Sequence, residues 1–555
     1  MVRLSIERIE KLVGRRFQYD ELESYLMRLK SECNRSDGYV DVEINSDRPD
    51  LMISEGVARS LKGLLELELG LPRYRYEDYD KIYLNVERVD SRPYILMAVI
   101  RNLDSDEEFL RELIQFQEKL HATIGRNRRK VAIGIHDLSK LAGGECVYKY
   151  VSIEERMIPL HRESYMRISD VLRETEQGVL YGKIALERDL HPAIICGGEI
   201  ISLPPVINSD ITRLESGTRD ILIDVTGVDL EAVEKTLEIL TTTLAENSRE
   251  RSIGRIYVDS RWGGRYYPQG RTGTLDIERG YIASVTGVEL GEGEIIESLR
   301  RARFDVERLD RGLYRVLIPS YRIDILHKID LVEEIVISYG LDRVEPEYIS
   351  TTRRGRLRSE TILIRRIRDI LTGLGFTEIM SYILSSKELY EKLSWKNYVE
   401  VANPVSKEFS IVRSSMLPSI LRILYEVQNE SKPIKIYEVG EYVTIDPSSY
   451  TGTRTRLGLA MALMDYEMSF EEIHSVIFSL FRYLGLDIKI SRSCNENIFR
   501  EEIDLLIEGR RGFVKIGDKC VGLLGETHPR VLEILRIKYP IVVSFIDLDR
   551  VLEIK

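Results

Sequence analysis

Tyr321-Arg322-Ile323-Asp324-Ile325-Leu326-His327-Lys328-Ile329-Asp330-Leu331-Val332-Glu333-Glu334 carries four carboxylates, Asp324, Asp330, Glu333 and Glu334, within eleven positions. Asp330, Glu333 and Glu334 stand at i, i+3 and i+4, so they share one face of a first helical turn. Asp324 lies on the incoming segment and can fold back toward that face. Unneutralised, these groups repel one another, and an all-oxygen cluster suits a hard cation such as magnesium, which keeps some water ligands. The same residues also have a local reading. Asp330-x-x-Glu333 resembles a capping box, and acidic residues in a first turn complement the helix dipole. The two readings can hold together.

Around this stretch, residues 270–345 read as a compact module. A helix is expected near Ile277–Thr286 with a stop at Gly287, a second near Glu294–Arg303, and a strand Tyr314–Ile318 leading through Pro319. Upstream, residues 1–80 start with a strand-like segment and short amphipathic helices. They end in a helix around Ile53–Leu67, whose apolar face is Val57, Leu61, Leu64 and Leu65. Residues 81–265 alternate strands with helices: Val131–Ile135 runs out at His136-Asp137, Ile221–Val225 runs out at Thr226-Gly227, and Leu230–Glu246 has a regular apolar stripe. Residues 346–555 begin with a basic connector and a helix, and strands at Ile434–Val439 and Ile541–Ile546 point to an antiparallel sheet. The expected fold class is therefore α+β, multidomain, with a mixed α/β region at 81–265.

A chain of 555 residues is too long for one core. No apolar run reaches the ~18–20 residues that span a bilayer, and MVRLSIERIEKLVG lacks a signal peptide's apolar core. The five cysteines (Cys33, Cys146, Cys196, Cys494, Cys520) form no CxxC pair and no zinc spacing, so reduced thiols in a cytoplasm are expected, with the intracellular disulfides of heat-loving organisms as the exception. A formal charge of −11 excludes a protein living mainly on phosphate contacts. RNA binding must be local, through the basic clusters Arg126–Lys130 or Arg353–Arg358, or shared with a partner. Taken alone, each cluster reads as solvated surface before it reads as a nucleic-acid site.

Several fragments resemble one family, in order, over nearly the whole chain. Tyr321–Glu334 with Ile337-Ser338-Tyr339-Gly340 is similar to the end of the B5 domain of phenylalanyl-tRNA synthetase beta subunits. Asn45–Leu51 with Glu55-Gly56 resembles the same subunit's first domain. Gln117–His121, Arg126–Lys130 and Ala132–Asp137 resemble the archaeal and eukaryotic form of its B3/B4 domain. Asn403–Ser406, Arg413–Pro418 and Tyr437–Gly440 resemble its class II-like core.

The resemblance implies α/β B1 (1–80) and B3/B4 (81–265) domains, a winged-helix-like B5 domain (270–345), and a class II synthetase-like antiparallel core (346–555) without a working active site. It assigns magnesium to Asp324, Asp330, Glu333 and Glu334. In the core, the strand Ile434–Val439 continues to Thr444 where an active subunit would offer an arginine, and Gly522–Pro529 stands where a glycine–arginine motif would bind ATP. A triphosphate needs such cations. Arg413 remains as an exception to this pattern, read first as an interface or fold-supporting arginine. ATP and phenylalanine are then expected on an alpha subunit in an (αβ)2 heterotetramer, with tRNA(Phe) as partner and neither DNA nor membrane implied.

The B3/B4 resemblance also implies hydrolysis of mischarged Tyr-tRNA(Phe). A pocket separating two amino acids by one hydroxyl manages only ~10²-fold discrimination, so a second site must offer the phenol a polar partner. Asn208, Arg219, Asp224, Thr226 and His136 are the candidates, with Asp137 beside them. Asp224, alone in an apolar strand, is the expected acceptor. It reads otherwise as an acid satisfied by Arg219 or exposed, and His136 as a structural strand-end histidine. No Ser-His-Asp or Cys-His arrangement is visible, so a positioned water with the ribose hydroxyl is expected to act. A standalone tRNA-editing hydrolase and a non-enzymatic RNA-binding scaffold are the alternatives.

Overall fold

The computed structural model describes residues 1–555 apart from 142, 347, 350, 352, 497 and 555. It forms two compact units, Met1–Tyr348 and Ile349–Lys555.

The first unit begins with strands β1 (Val2–Ser5), β2 (Glu32–Ser36) and β3 (Tyr39–Glu43), ordered β1-β3-β2. Helix α1 (Ile6–Val13) starts where the Ser5 side chain accepts the Arg8 N–H and ends at left-handed Gly14. Helices α2 (Tyr19–Arg28) and α3 (Ser54–Leu64) follow. In α3, Val57, Leu61 and Leu64 are buried as the apolar stripe requires.

The main sheet has ten strands: β4 (Arg75–Val86), β5 (Tyr94–Ile100), β6 (Val131–Asp137), β7 (Gly144–Ser152), β8 (Leu190–Cys196), β9 (Glu199–Leu203), β10 (Ile207–Asn208), β11 (Ile221–Gly227), β12 (Ser252–Asp259) and β13 (Arg265–Tyr267). Their order is β10-β9-β8-β7-β4-β12-β5-β11-β6, with β13 beside β12. The sheet is mixed, because β4 runs parallel to both β7 and β12. It starts at Arg75, six residues before the boundary expected at 81. The first half of β4 is charged and largely solvent-facing, so no apolar pattern announces it.

Strand β11 lies between β5 and β6, and every one of its residues is buried. Helix α4 (Glu107–Ala122) packs on β6, and helix α5 (Leu230–Ala245) packs on β5 and β11. A strand covered on all sides reads as a nearly continuous apolar run. Asp224 and Thr226 break that run.

Residues 273–339 add a three-stranded sheet, β14 (Gly273–Glu278), β15 (Asp305–Asp310) and β16 (Leu313–Ile318), ordered β14-β16-β15. Helices α6 (Arg279–Thr286), α7 (Glu292–Arg301) and α8 (Lys328–Tyr339) close its core. Ile277, expected to open the first helix, is instead the buried residue of β14.

The second unit is built on a seven-stranded sheet: β17 (Thr377–Glu378), β18 (Ile434–Ile445), β19 (Thr453–Met464), β20 (Lys489–Ser491), β21 (Leu506–Ile516), β22 (Lys519–Thr527) and β23 (Ile541–Asp547), ordered β17-β18-β19-β23-β22-β21-β20. All its pairings are antiparallel except β17 with β18. Period-two alternation divides its residues between two cores. Leu459, Met461 and Leu463 meet helices α9 (Ser359–Gly373) and α11 (Phe470–Leu484). Ala460, Ala462 and Met464 meet helix α10 (Leu417–Val427). Arg353–Arg358 is exposed chain without regular structure before α9.

The expectation of five reduced thiols is corrected. Cys146 and Cys196 face each other in register across β7 and β8, Cα–Cα 4.3 Å, and are joined as a disulfide. Cys494 and Cys520 form a second, and Cys33 is free. Separations of 50 and 26 residues hide both pairs from any motif. Among the described residues no helix is long and apolar enough to cross a membrane.

Candidate functional site

The main sheet opens on a cleft of about 1030 Å³. Its floor is Ala132 and Gly134 of β6 with Asp224 and Thr226 of β11, paired Gly134 to Asp224 and Ala132 to Thr226. Gln117 and Glu118 of α4, Arg128, Tyr181 and the segment Ser202–Asn208 supply walls.

Asp224 is only 1% exposed. His136 Nε2 lies 2.8 Å from its Oδ2, and His136 Nδ1 lies 2.7 Å from the Thr212 hydroxyl. The carboxylate accepts from Nε2, and the Thr212 hydroxyl meets the other ring nitrogen. Among the described residues, no donor reaches the other carboxylate oxygen, Oδ1. The geometry has one oxygen clamped and the other free to receive a ligand's hydroxyl.

Gly134 makes this arrangement possible. A Cβ there would stand 1.9 Å from Asp224 Oδ2 and 3.0 Å from Asn208 Oδ1. Asn208 Oδ1 accepts from the Ser202 hydroxyl at 2.9 Å, and its Nδ2 donates to the Ile135 carbonyl at 3.3 Å.

Behind Thr226 sits fully buried Arg92. Its Nε donates to Thr226 Oγ1 at 2.8 Å and its Nη2 to the Thr226 carbonyl at 2.7 Å. Burial pulls its pKa down to about 10, opposed by Tyr148 and Asp224. On the rim, Arg128 Nη2 pairs with Glu118 at 2.7 Å, and its guanidinium stacks 4.5 Å from the Tyr181 ring. A hydrogen bond from His121, with Arg128 nearby, holds the Glu118 carboxyl down at about 2.

Of the residues expected here, Asp224, Thr226 and Asn208 meet in the cleft, and His136 stands directly behind Asp224. Arg219 does not join them. It is exposed just before β11, where its backbone carbonyl accepts the Leu103 N–H. Asp137 faces away and accepts from Ser139 and Thr218. Arg92 and Thr212 had gone unnoticed, and no local motif marks them.

Of the four carboxylates of 324–334, Asp324, Glu333 and Glu334 meet cations of the chain itself, and Asp330 accepts backbone N–H groups. Buried Arg322 donates to Asp324 from Nε at 2.9 Å and Nη2 at 2.7 Å, and from Nη2 to Glu334 at 2.7 Å. Arg48 binds Asp50 at 2.9 and 3.0 Å and lies 4.0 Å from Glu334, and Arg59 reaches Asp50 at 3.2 Å. Burial alone would raise the Asp50 pKa, but Arg48 and Arg59 bring it down to about 2. Asp330 Oδ2 accepts the N–H groups of Leu326 and His327 at 2.9 and 2.8 Å. The capping box therefore runs from His327 to Asp330, one turn earlier than Asp330 to Glu333. Glu333 is half exposed beside Lys30, 3.3 Å away. Among the described residues, no three His, Cys, Asp or Glu side chains are grouped to hold a metal ion. So arranged, the set does not fit magnesium. Arg322 holds the position a cation would take between Asp324 and Glu334.

The phenylalanyl tRNA synthetase beta chain CLM domain matches residues 347–548, and the tRNA synthetase B5 domain matches residues 275–341. The phenylalanine–tRNA ligase beta subunit of Sulfurisphaera tokodaii is 41% identical over 536 residues, 96% of each chain. The chain belongs to the phenylalanine–tRNA ligase beta-subunit family. The family's Aeropyrum pernix member is 38% identical over 555 residues, 99% of this chain and 98% of its own. A solved N-terminal fragment of the phenylalanyl-tRNA synthetase beta subunit from Pyrococcus horikoshii is 34% identical with a TM-score of 0.58, covering 61% of this chain and 99% of the fragment.

Within the CLM match, buried Arg413 binds Glu438 Oε1 and Ser381 Oγ, both at 2.8 Å, and the Glu441 carbonyl at 2.7 Å. Among the described residues these contacts all lie inside the fold. Thr444 stands on β18, and Gly522–Pro529 comprises β22 and the start of a helix.

Proposed function

We propose that this chain supports ATP-dependent attachment of phenylalanine to tRNA(Phe) by an alpha subunit, in an (αβ)2 assembly in the cytoplasm, and itself hydrolyses mischarged Tyr-tRNA(Phe). ATP and phenylalanine are bound by the partner. Residues 81–265 are the B3/B4-like editing domain, residues 270–345 the winged-helix-like B5 domain, and the seven-stranded sheet a class II-like platform that does not catalyse. The names of the relatives support the subunit assignment.

The half-used carboxylate of Asp224 is the observation that carries the editing reading. His136 fixes one oxygen, and the other accepts the tyrosyl hydroxyl on the cleft floor. Phenylalanine has nothing to offer it, and a buried acceptor left without a donor costs about 1–3 kcal/mol, or roughly 5- to 150-fold in preference. Thr226, held by Arg92, and Asn208, held by Ser202, shape the rest of the floor. Water then attacks the ester carbonyl, the bond to the ribose oxygen breaks, and that oxygen takes up the proton. The neighbouring ribose hydroxyl positions the water, with no covalent enzyme intermediate.

Asp224→Ala should slow hydrolysis of Tyr-tRNA(Phe) by roughly 10- to 100-fold, while phenylalanine charging by the assembled subunits stays unchanged. Unchanged hydrolysis would discard the assigned pocket. Charging should require both subunits. Full charging by the alpha partner alone would leave an auxiliary role, and deacylation by this chain alone would favour a standalone hydrolase.

A further inference from the structure

A second cavity, of about 520 Å³, opens on the sheet of the second unit. Tyr442 and Thr444 of β18, Arg456 of β19, and Phe545 and Asp547 of β23 line it from the sheet, with Arg456 directly opposite Tyr442. Trp395, Asn397 and residues 498–502 line it from the loops.

Its chemistry is specific. Four aromatic side chains line it: Trp395, Tyr442, Phe499 and Phe545. Three guanidiniums (Arg456, Arg500, Arg550) stand among the carboxyls of Glu501, Glu502 and Asp547. Arg456 pairs with Asp547 at 3.2 Å, Arg550 contacts Glu496, and Glu501 accepts the N–H groups of Lys396 and Asn397 at 2.6 and 3.0 Å. A full charge of either sign would therefore meet its like.

What remains unsatisfied selects the ligand. The Trp395 indole N–H, the Ser414 hydroxyl and Arg550 Nε are buried without acceptors among the described residues. Trp395 itself is 3% exposed. Glu502 is 8% exposed; its carboxyl hydrogen-bonds with the Ser415 side chain but meets no cation among the described residues. Burial lifts its pKa to about 7, so near neutrality it offers an O–H donor beside a carbonyl acceptor. Such an acid pairs with a ring nitrogen flanked by an amino group. Aromatic walls favour a flat ring, and a cavity of this size holds one small molecule.

We infer that this cavity binds an uncharged, planar heteroaromatic molecule of the nucleobase class. Its amino-substituted edge meets Glu502, and its remaining acceptor atoms complete the stranded donors. The inference is independent of the editing reading, which concerns the other unit.

The chain has two tryptophans, Trp262 and Trp395, so full-length Trp262→Phe reports on this cavity alone. Its red-edge-excited emission is titrated with adenosine and cytidine, with phenylalanine as the amino-acid comparison. At least one nucleoside should give a saturable change with Kd below about 1 mM, and phenylalanine none. Thr444→Phe, which fills the cavity beside Tyr442, should weaken binding at least tenfold, and near-isosteric Glu502→Gln about fivefold with a melting temperature no lower than the parent's. Glu502→Gln carries the comparison should Thr444→Phe fail to fold. No saturable change with either nucleoside up to about 10 mM, or parent affinity in folded variants, would overturn the assignment.

Discussion

The cleft of the first unit and the cavity of the second both open on a sheet face, yet the polar groups on the floor of the cleft and those around Trp395 are treated in opposite ways. Around Asp224, the carboxylate is held by His136, the histidine by Thr212, the threonine at 226 by Arg92, and Asn208 by Ser202. The first unit's Arg48–Asp50–Arg59 and Arg322–Asp324–Glu334 clusters follow the same rule. Around Trp395, donors stand without acceptors and Glu502 without a cation. A paired group has already met its desolvation cost inside the fold and can be held still for selection. A stranded group leaves that cost open for a ligand to offset.

The contrast breaks first, and with the largest effect, at Arg322. Removing one member of a buried ion pair leaves its partners uncompensated, at a cost of about 3–5 kcal/mol. Arg322→Ala should therefore lower the chain's melting temperature sharply, and millimolar Mg²⁺ should restore part of the loss by standing between Asp324 and Glu334. An unchanged melting temperature would mean that the network is ornamental to stability.

Next comes Glu502. Its folded-state pKa near 7 lies above the usual carboxyl value of 4.5, so between those limits the native state binds more protons than the unfolded chain. Stability from this group is fully present below pH 4.5 and is lost as pH rises through 7. Glu502→Gln should abolish that decline, of order 3 kcal/mol, in unfolding curves recorded from pH 4.5 to 8. A parallel decline in the variant would assign it elsewhere. The smallest effect is expected at Trp395. Trp395→Phe removes packing area but also a buried donor without an acceptor, so stability should change by no more than about 1 kcal/mol. A loss beyond about 3 kcal/mol would reveal a partner for the indole N–H.

Strand β11 and helix α5 were legible because a fully covered strand and an apolar stripe leave unmistakable periodicities, and Asp224 stood out as the one acid in the strand. Its partner His136 lies 88 residues earlier. That link is visible in the sequence only as two strand ends, and Arg92 and Thr212 carry no local mark at all. Arg219 misled through chain proximity: five residues from Asp224, it lies outside the strand, exposed at its entry. The carboxylate periodicity at 330–334 was real, but Arg322 two residues before Asp324 had already taken the cation's place. In the second unit, the search for a charge along β18 ended at Thr444, while the neighbouring strand brings Arg456 opposite Tyr442. Register, which spacing along the chain does not encode, decided the His136 and Arg456 cases.

The empty space at Gly134 has a consequence for how such a chain can change. Any side chain at 134 would overlap the Asp224 carboxylate and crowd Asn208, so no single substitution there is compatible with the acid below it. A larger residue at 134 would require the Asp224 side chain to move or be replaced, and a chain without the acid would have room for it. The two positions, 90 residues apart in sequence and adjacent in register, form one heritable unit whose joint alteration would announce a change of substrate.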